Sequence, residues 1–482
     1  MTFPQSSLLT AWKRFVDDPG APFTIPGHKH RAGEVWPDLG RLLASDVPLF
    51  GGLGSVKEAT VALAAAEDLG AQQWGGDWCR YSTGGSTHPN QALALAVGQP
   101  GDTVLVSRTA HRSTLLGLIL AGLTPVWLPN DIDPKFGLPT GLSLPALSAA
   151  VQAHPDAVGL FLVEPSYVGT ISDIAAAIEL AHARGIPVIV DQAWGAHLGF
   201  HPAYPAHAPA LGADAMITSA HKTLPAYSQG SIAVARTGLL DRDRLDRGFE
   251  ATATTSPAGS ILASVDAARA LLAAPIGTQL LQLLVDNVAE ARDTLRREPA
   301  LAGVTVPGPD DFPAGRFDPA KLVVLLTATS LSGNDVEREL IAAGFPLESA
   351  DHDTLLPIVT MFDDTERVAA LCRQLATAAA RVEPTAARRR ATSPVWQPPL
   401  PPAPLTPREA FFAKHERVSA ERAVGRVAAE VVAPYPPGIP LLVPGEMITA
   451  ETLAALAAAA RSGVRIAYAA DPSLSSYQVV AS

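Results

Sequence analysis

The chain has 482 residues and a mass of 50.2 kDa, with 48% hydrophobic residues, 17% charged residues and a formal net charge of −11. Its length indicates two or three domains, and its apolar content excludes a disordered chain. The acidic balance argues against a general nucleic-acid binder.

Two cysteines, Cys79 and Cys372, are too few for a disulfide framework and exclude a cysteine-rich zinc or iron–sulfur site. No apolar run reaches the roughly 18 residues that a membrane span needs. The first residues carry charges by Lys13, unlike a secretory signal. We therefore expect a cytoplasmic protein with neither a metal site nor a membrane segment.

Short apolar runs alternate with helical patterns through the middle of the chain. Strands are predicted at 103–108, 125–129, 158–165, 186–193, 214–220 and 231–236 because these runs are β-rich and unbroken. Helices are predicted at 111–122, 144–153 and 172–184, with a longer helical stretch at 257–296. The alternation predicts an α/β fold with a mostly parallel sheet flanked by helices, which binds ligands at the carboxyl ends of its strands.

Proline content predicts where the chain divides. Seven of the fourteen residues at 394–407 are proline, which favours an extended, semi-rigid connection over helix or central strand. We therefore predict a linker at 383–407, between a small α/β domain at 301–382 and a C-terminal domain at 408–482. Residues 1–300 form an N-terminal segment and a large domain.

Two residues that end predicted strands indicate a cofactor. Asp191 follows four apolar residues, and it could bind a metal, act as a base, pair with a protonated ring nitrogen, or merely cap a helix or lie in a solvated loop. Lys222 follows the next strand, and its apolar and small surroundings favour a Schiff-base lysine over a surface lysine. With Ser219 and His221 beside the lysine, this pattern suits pyridoxal phosphate, whose aldehyde the lysine would hold and whose pyridine nitrogen the aspartate would keep protonated.

The cofactor's phosphate requires a cradle. Gly84, Gly85, Ser86 and Thr87 precede a helix predicted to start near Asn90, with Pro89 in its first turn. Small residues, hydroxyls and a helix N-terminus together favour an anion, although such a loop is also common without one.

Two aromatic side chains are further candidates for the site. His111 begins the next predicted helix and could stack on the pyridine face, or simply cap the helix or lie on the surface. Trp194 follows Asp191 by three residues and could form a wall of the site or fill the core.

Seven segments resemble the ornithine/lysine/arginine decarboxylases of pyridoxal-phosphate fold type I, in particular the short bacterial form without an N-terminal wing domain. The segments are 25–33, 84–90, 111–128, 164–174, 191–202, 219–231 and 434–446. The resemblance implies a carboxy-lyase that removes the α-carboxyl group of a basic L-amino acid, arginine before lysine or ornithine, in polyamine biosynthesis. It also implies a homodimer or higher homo-oligomer with shared active sites.

The resemblance assigns roles by position. Lys222 would form the Schiff base, Asp191 would pair with the pyridine nitrogen, and His111 would stack on the ring. The phosphate would be held by Gly85, Ser86, Thr87 and Ser219. His221 would donate a proton, Trp194 would occupy the family's aromatic position after the aspartate, and Glu446 would lie near the cationic tail of the substrate.

Several positions depart from the family pattern. Pro48 and Leu49 replace a threonine and a glutamate, His88 stands in the phosphate loop, and Gln192 replaces a frequent glutamate. Pro48, Leu49 and His88 lie where the substrate or a partner subunit could be contacted. Two alternatives stay open: another fold type I enzyme, such as an aminotransferase or side-chain lyase, and a non-catalytic relative that binds the cofactor.

Overall fold

A computed structural model describes residues 6–18, 25–47, 56–384 and 395–481. Pro48, Leu49 and residues 385–394 of the predicted linker lie outside these ranges. In chain order the helices are α1 Ser7–Asp17, α2 Pro37–Leu43, α3 Val56–Gln73, α4 Thr87–Val97, α5 Arg112–Ala121, α6 Leu144–Ala153, α7 Ile174–His182, α8 Ala220–Thr223, α9 Arg242–Thr252, α10 Gly259–Ala273, α11 Pro275–Arg297, α12 Gly333–Ala342, α13 Thr365–Arg381, α14 Pro407–Phe412, α15 Ala420–Ala423 and α16 Ala450–Arg461.

The strands form one large and several small sheets. They are β1 Trp78–Ser82, β2 Thr103–Ser107, β3 Thr124–Leu128, β4 Asn130–Ile132, β5 Pro139–Leu142, β6 Leu160–Val163, β7 Val188–Asp191, β8 Ala215–Thr218, β9 Ser231–Ala235, β10 Val324–Leu325, β11 Ser349–Ala350, β12 Thr354–Leu356, β13 His415–Ser419, β14 Ala433–Tyr435, β15 Arg465–Ala467 and β16 Ser476–Val480. The large sheet has the order β1-β9-β8-β7-β6-β2-β3. Strands β8, β7, β6, β2 and β3 are parallel, and β9 runs antiparallel to both of its neighbours.

Successive residues of the central strands pack into different cores. In β7, Ile189 belongs to the core that contains residues of α4 and α5, whereas Val188 and Val190 belong to the core that contains residues of α6, α7 and α10. A strand covered on both faces must be apolar at every position, so these runs show no alternation. All six predicted strands and the mostly parallel α/β sheet are confirmed, while the edge strand β1 was not predicted.

The predicted helical stretch at 257–296 consists of two helices. Pro275 has no backbone N–H to continue α10, so it begins α11 instead, and the two axes bend by 81°. Taken together this pair is long and apolar enough to cross a membrane, but no single helix in the described ranges is.

The last part of the chain packs back onto earlier elements. One core combines Phe136 and Leu138 near β5, Leu325 of β10 with the preceding Val323, and many residues beyond position 394. Val395 and Trp396, inside the predicted linker, are buried in it. The domain limits remain a prediction, but this end of the linker is part of the folded core.

Candidate active site

A cavity of about 430 Å³ lies at the carboxyl ends of the parallel strands. Its floor comes from residues at or just after the ends of β2, β3, β6, β7 and β8, namely Thr109, Asn130, Val163, Asp191 and Ser219. The opposite wall includes Glu348 and, from the C-terminal part, Trp396 and 435–437. This is the position at which open α/β sheets bind ligands.

Lys222 lies on the single turn of α8, directly after β8, and reaches this cavity. Its Nζ is 4.2 Å from the centroid of the Trp194 ring. Burial lowers the pKa of Lys222, and the carboxylates of Asp191 and Glu348 oppose that shift. A lysine whose neutral form is favoured in this way is suited to attack an aldehyde.

Asp191 is the last residue of β7 and is buried. Its Oδ2 accepts a hydrogen bond from Asn90 Nδ2 at 2.8 Å, and its Oδ1 accepts one from the Ala193 amide at 3.1 Å. Burial raises the pKa of Asp191, while Asn90, Lys222 and the Ala193 amide oppose the shift. A buried carboxyl group that two donors hold in place can pair with a ring nitrogen, so that the two groups share one proton.

His111 is the N-cap of α5, and its ring also lines the cavity. The ring Nδ1 accepts a hydrogen bond from the Ser113 amide at 3.2 Å. Burial, Lys222 and Arg112 lower the pKa of His111 to about 4, so the imidazole is neutral near pH 7. The predicted roles of ring stacking and helix capping are therefore compatible.

The predicted phosphate cradle begins the helix α4. Gly85 has a φ of 62°, a left-handed conformation that favours glycine, and it turns the chain before Ser86. The hydroxyls of Ser86 and Ser219 lie 2.7 Å apart, so both face the same point. Thr87 is already helical, three residues before the predicted start, and the first amides of α4 lack intrahelical acceptors.

His221 directs one ring nitrogen away from the cavity. Its Nδ1 lies 2.9 Å from the carbonyl oxygen of Gly230, which can only accept, so Nδ1 carries the hydrogen. The cavity-lining ring is thus left with Nε2 as the nitrogen that can gain or lose a proton. Burial lowers the pKa of His221, which favours the neutral imidazole.

Comparison with known proteins identifies the chain. Residues 6–313 match the family described as Orn/Lys/Arg decarboxylase, major domain, and residues 391–462 match its C-terminal domain. An arginine decarboxylase of Bacillus subtilis (strain 168) is 32% identical over 461 residues, which cover 94% of this chain and 93% of that protein. The chain belongs to the Orn/Lys/Arg decarboxylase family.

Two further relatives agree with this assignment. An arginine decarboxylase of Halalkalibacterium halodurans is 33% identical over 95% of this chain and 94% of its own. The crystal structure of the Francisella novicida lysine decarboxylase LdcF superposes with a TM-score of 0.82 at 19% identity, covering 99% of this chain and 81% of that chain. This likeness confirms the predicted fold.

The cavity of this family member fits pyridoxal phosphate. A lysine, a buried carboxyl group and a neutral imidazole line one space together with two hydroxyls that face each other at a helix N-terminus. These are the groups that the aldehyde, the pyridine nitrogen, the ring face and the phosphate require. Among the described residues, no cluster of three or more His, Cys, Asp or Glu side chains is placed to hold a metal ion.

Glu446, predicted to face the substrate, does not line the cavity. Its side chain is 2% exposed, and both of its oxygens lie within 3.2 Å of Arg108 Nη2. Its Oε2 also accepts from the Val443 amide. Burial raises the pKa of Glu446, and the Arg108 cation opposes this shift. The predicted contact between Glu446 and the substrate is therefore corrected for this chain, because the Glu446 carboxylate forms a buried ion pair with the Arg108 guanidinium.

His88 and Gln192, two departures from the family pattern, are also internal. His88 Nε2 donates to the Phe249 carbonyl at 2.9 Å, and Nδ1 lies 2.7 Å from Ser82 Oγ. Gln192 is buried, and its Oε1 accepts from the Ala208 amide. The idea that His88 contacts substrate is therefore wrong for this chain, in which it braces the loop before α4.

Sequence reasoning missed several residues of the site. The Nζ atoms of Lys222 and Lys321 lie 4.2 Å and 4.1 Å from the centroid of the Trp194 ring. Burial lowers the pKa of Lys321 to about 8. Glu348 lines the cavity and lies 3.4 Å from the hydroxyl of Tyr167. No local pattern marks Lys321 or Glu348, since both depend on contacts across more than a hundred residues. Asn90 lies in the 84–90 segment, where the sequence indicates only the start of a helix.

Proposed function

We propose that this chain catalyses the pyridoxal-phosphate-dependent α-decarboxylation of a basic L-amino acid, releasing the amine and carbon dioxide. The observation that carries the proposal is the convergence of Lys222, Asp191 and His111 on one cavity in a member of this family. L-Arginine is the first candidate substrate, because the relatives at 32% and 33% identity are named arginine decarboxylases. Lysine is the second.

The residues that hold the cofactor divide into three groups. Lys222 would bind the aldehyde carbon, and Asp191 would face the pyridine nitrogen with His111 against the ring. Ser86, Thr87, Ser219 and the Gly85 amide would bind the phosphate. When bound, pyridoxal phosphate withdraws the electron pair that the departing carboxylate leaves behind.

The surroundings of the cavity favour loss of the substrate carboxylate. Among the residues described as lining it, none is an arginine, the residue that would clamp a carboxylate with two hydrogen bonds. Val163, Ile439 and the Trp194 ring instead present apolar surface. Neutral carbon dioxide needs no charge partner, so this setting supports decarboxylation over transamination.

Proton return to the α-carbon has two candidate donors. His221 Nε2 and Lys222 Nζ both belong to cavity-lining side chains, and the Nδ1–H of His221 is bound to the Gly230 carbonyl, so only its Nε2 can exchange a proton with the substrate. Burial lowers the pKa of both groups, which favours the neutral imidazole of His221 and eases release of a proton from the Lys222 ammonium group, so Lys222 is the better donor and His221 can return a proton only after it has gained one.

Glu348 is the acid that we assign to the cationic tail of the substrate. Among the described lining residues it is the only acid besides Asp191, which Asn90 and Ala193 already bind. Tyr167 and Tyr435 line the same cavity, so a cation beside Glu348 would also meet aromatic rings. A carboxylate with tyrosines suits either a guanidinium or an ammonium group.

We further propose a cytoplasmic homodimer, or a higher oligomer, that shares residues between active sites and serves polyamine biosynthesis. Its support is an unusual exposure of apolar side chains near the N-terminus. Ile25, Val35, Trp36, Leu42 and Val61 are all more than half exposed. Such surface is typical of a contact with another chain.

An amino-acid panel tests the reaction. Carbon dioxide and amine should form from L-arginine, or from lysine, without an added keto acid. A requirement for a keto acid would instead indicate an aminotransferase, and no turnover of arginine, lysine or ornithine would reject the substrate class.

Cofactor attachment is tested separately on Lys222→Ala. Borohydride reduction followed by mass spectrometry should place the cofactor on the peptide that contains Lys222, and the variant should carry none and lose activity by roughly a thousandfold or more. Lys135→Ala, which removes an exposed lysine, is the control. Label on another lysine would refute the assignment.

A further inference from the structure

A chain of buried hydrogen bonds connects Asp191 to His111 through two residues with no assigned role. Asn90 Nδ2 lies 2.8 Å from Asp191 Oδ2 and 3.0 Å from Ser113 Oγ. Ser113 Oγ in turn lies 2.8 Å from His111 Nδ1. Asn90 and Ser113 are 1% and 2% exposed, so solvent does not compete for these contacts.

The direction of each hydrogen bond follows from the chemistry of the groups. An amide nitrogen can only donate, so the two hydrogens of Asn90 Nδ2 go to Asp191 and to Ser113 Oγ. The amide orientation is supported on its other side, where Thr114 Oγ1 donates to Asn90 Oδ1 at 3.4 Å. Asn90 therefore donates one hydrogen bond to Asp191 and one to Ser113 from a fixed amide orientation.

Ser113 extends this chain of hydrogen bonds to His111, with Ser113 as the donor. Its backbone amide donates to His111 Nδ1 at 3.2 Å, and this contact requires Nδ1 to be unprotonated. The Ser113 hydroxyl oxygen already accepts from Asn90, which leaves its hydrogen free to donate to the same Nδ1. The ring hydrogen is then on Nε2, on the side that approaches Gly438.

We propose that Asn90 and Ser113 are positioning residues that hold the Asp191 carboxyl group in place and fix His111 as the neutral Nε2–H tautomer. The inference rests on the proposed function, since it assigns these residues to the same cofactor site. Lys222 and Arg112 face the imidazole as cations and disfavour a further positive charge, while Asp191 is separated from it by Asn90 and Ser113. A neutral ring against the cofactor leaves Asp191 as the group that controls the pyridine proton.

The tautomer can be observed directly by long-range ¹H–¹⁵N correlation spectra of histidine-labelled protein, with and without bound pyridoxal phosphate. The His111 signals are assigned by their loss in His111→Gln. We expect Nδ1 to be unprotonated and Nε2 to be protonated from about pH 5.5 to 8. A protonated Nδ1 in the wild-type protein at neutral pH overturns the proposal, whatever any variant does.

Variants on the same helix supply the second measurement. Ser113→Ala removes one donor that stabilises neutral Nδ1, so the pKa of His111 should rise by about one pH unit. Ser113→Thr keeps the hydroxyl and should restore the wild-type titration. Leu120→Ala, at an exposed position near the end of the same helix, is the control and should leave the titration unchanged. No shift in a folded Ser113→Ala overturns the proposal.

Asn90→Ala tests the hydrogen bond between Asn90 and Asp191. Loss of the donor to Asp191 should raise the pKa of that carboxyl group and weaken pyridoxal phosphate binding about tenfold, measured by equilibrium dialysis. Unchanged affinity contradicts the positioning role. Because none of these measurements uses an amino-acid substrate, they can succeed even if the amino-acid panel shows no decarboxylation, and they can fail even if it does.

Discussion

A carboxylate can recognise a substrate only if its oxygens are free, and two glutamates of this chain differ in that respect. Glu446 is enclosed with Arg108, whereas Glu348 lines the cavity and lies 3.4 Å from the Tyr167 hydroxyl. The two residues therefore lead to opposite expectations for the same change from glutamate to glutamine.

Glu348→Gln should raise KM for arginine by roughly tenfold to a hundredfold with little change in kcat. It removes one charged hydrogen bond, worth about 1.5–3 kcal/mol, that forms before the reacting bond breaks. Steady-state kinetics with arginine and lysine measure this effect. Glu451→Gln, at an exposed position on α16, is the control, and an unchanged KM in Glu348→Gln would remove Glu348 from the substrate site.

Glu446→Gln should instead reduce stability and leave KM for arginine nearly unchanged in the protein that still folds. It leaves the buried Arg108 guanidinium without its counter-ion, which costs about 3–5 kcal/mol of unfolding free energy. Denaturant unfolding measures the loss. A stable variant with a raised KM would return Glu446 to the substrate site.

At the scale of elements, the loop that carries Gly438 packs closely against the His111 ring. Gly438 has a φ of 88°, and a Cβ placed there would lie 3.1 Å from the histidine ring. Gly425 has a similar φ of 81°, but a Cβ there would meet nothing within 4 Å. The two glycines share a left-handed backbone conformation that alanine disfavours, and they differ in what an added Cβ would contact, so they form a matched pair.

Both Gly→Ala variants should lose about 1–3 kcal/mol of unfolding free energy, because alanine disfavours a left-handed backbone. Gly438→Ala should lose about 1 kcal/mol more and bind pyridoxal phosphate more weakly, since the new methyl group displaces the His111 ring. Equal effects of the two variants on cofactor affinity would show that the loop does not hold His111.

Glu164 connects β6 to the segment before α7 and gives the fold a dependence on pH. Its Oε2 accepts from the Ser172 amide, and burial raises the pKa of Glu164 from 4.5 to about 8. Between these values the folded protein keeps a proton that the unfolded chain has lost. Stability is therefore highest below the unfolded pKa and falls as pH rises toward 8.

Glu164→Gln should remove that fall, since glutamine has no proton to lose. Relative to the wild type, the unfolding free energy of the variant should improve by about 2–4 kcal/mol between pH 5 and pH 8. Urea unfolding at both pH values measures this difference, with Glu451→Gln as the surface control. Parallel pH profiles for Glu164→Gln and the wild type would contradict it.

How far the sequence predicts the site depends on the distance between partners along the chain. Asp191 and Lys222 were found because an apolar run marks where each parallel strand ends, and parallel strands end at one edge. The partner of Glu446 lies 338 positions away, and no local pattern indicates that a buried arginine takes the carboxylate. Glu348 was missed for the same reason, because its place depends on how the small β10–β12–β11 sheet packs against the cavity.

At the scale of the whole molecule, exposed apolar residues near the N-terminus support a dimer. Trp36 and Phe362 are both 60% exposed, but only Trp36 lies among several other exposed apolar side chains in nearby sequence. Light scattering should give a mass of at least twice 50.2 kDa for the wild type. Trp36→Asp should shift it toward the monomer, and Phe362→Asp should not. A monomeric wild type would refute the dimer.

The contacts of the Arg108 side chain can form only after the C-terminal part of the chain has been synthesised. All four of its acceptors, the carbonyls of Pro399, Pro440 and Leu441 and the carboxylate of Glu446, belong to the part of the chain that is synthesised last. Trp396 and Tyr435, on the wall of the cavity, are made equally late. The large domain is therefore synthesised before the acceptors of the Arg108 guanidinium and before part of the wall of the cofactor pocket, and both sites are completed only as translation ends.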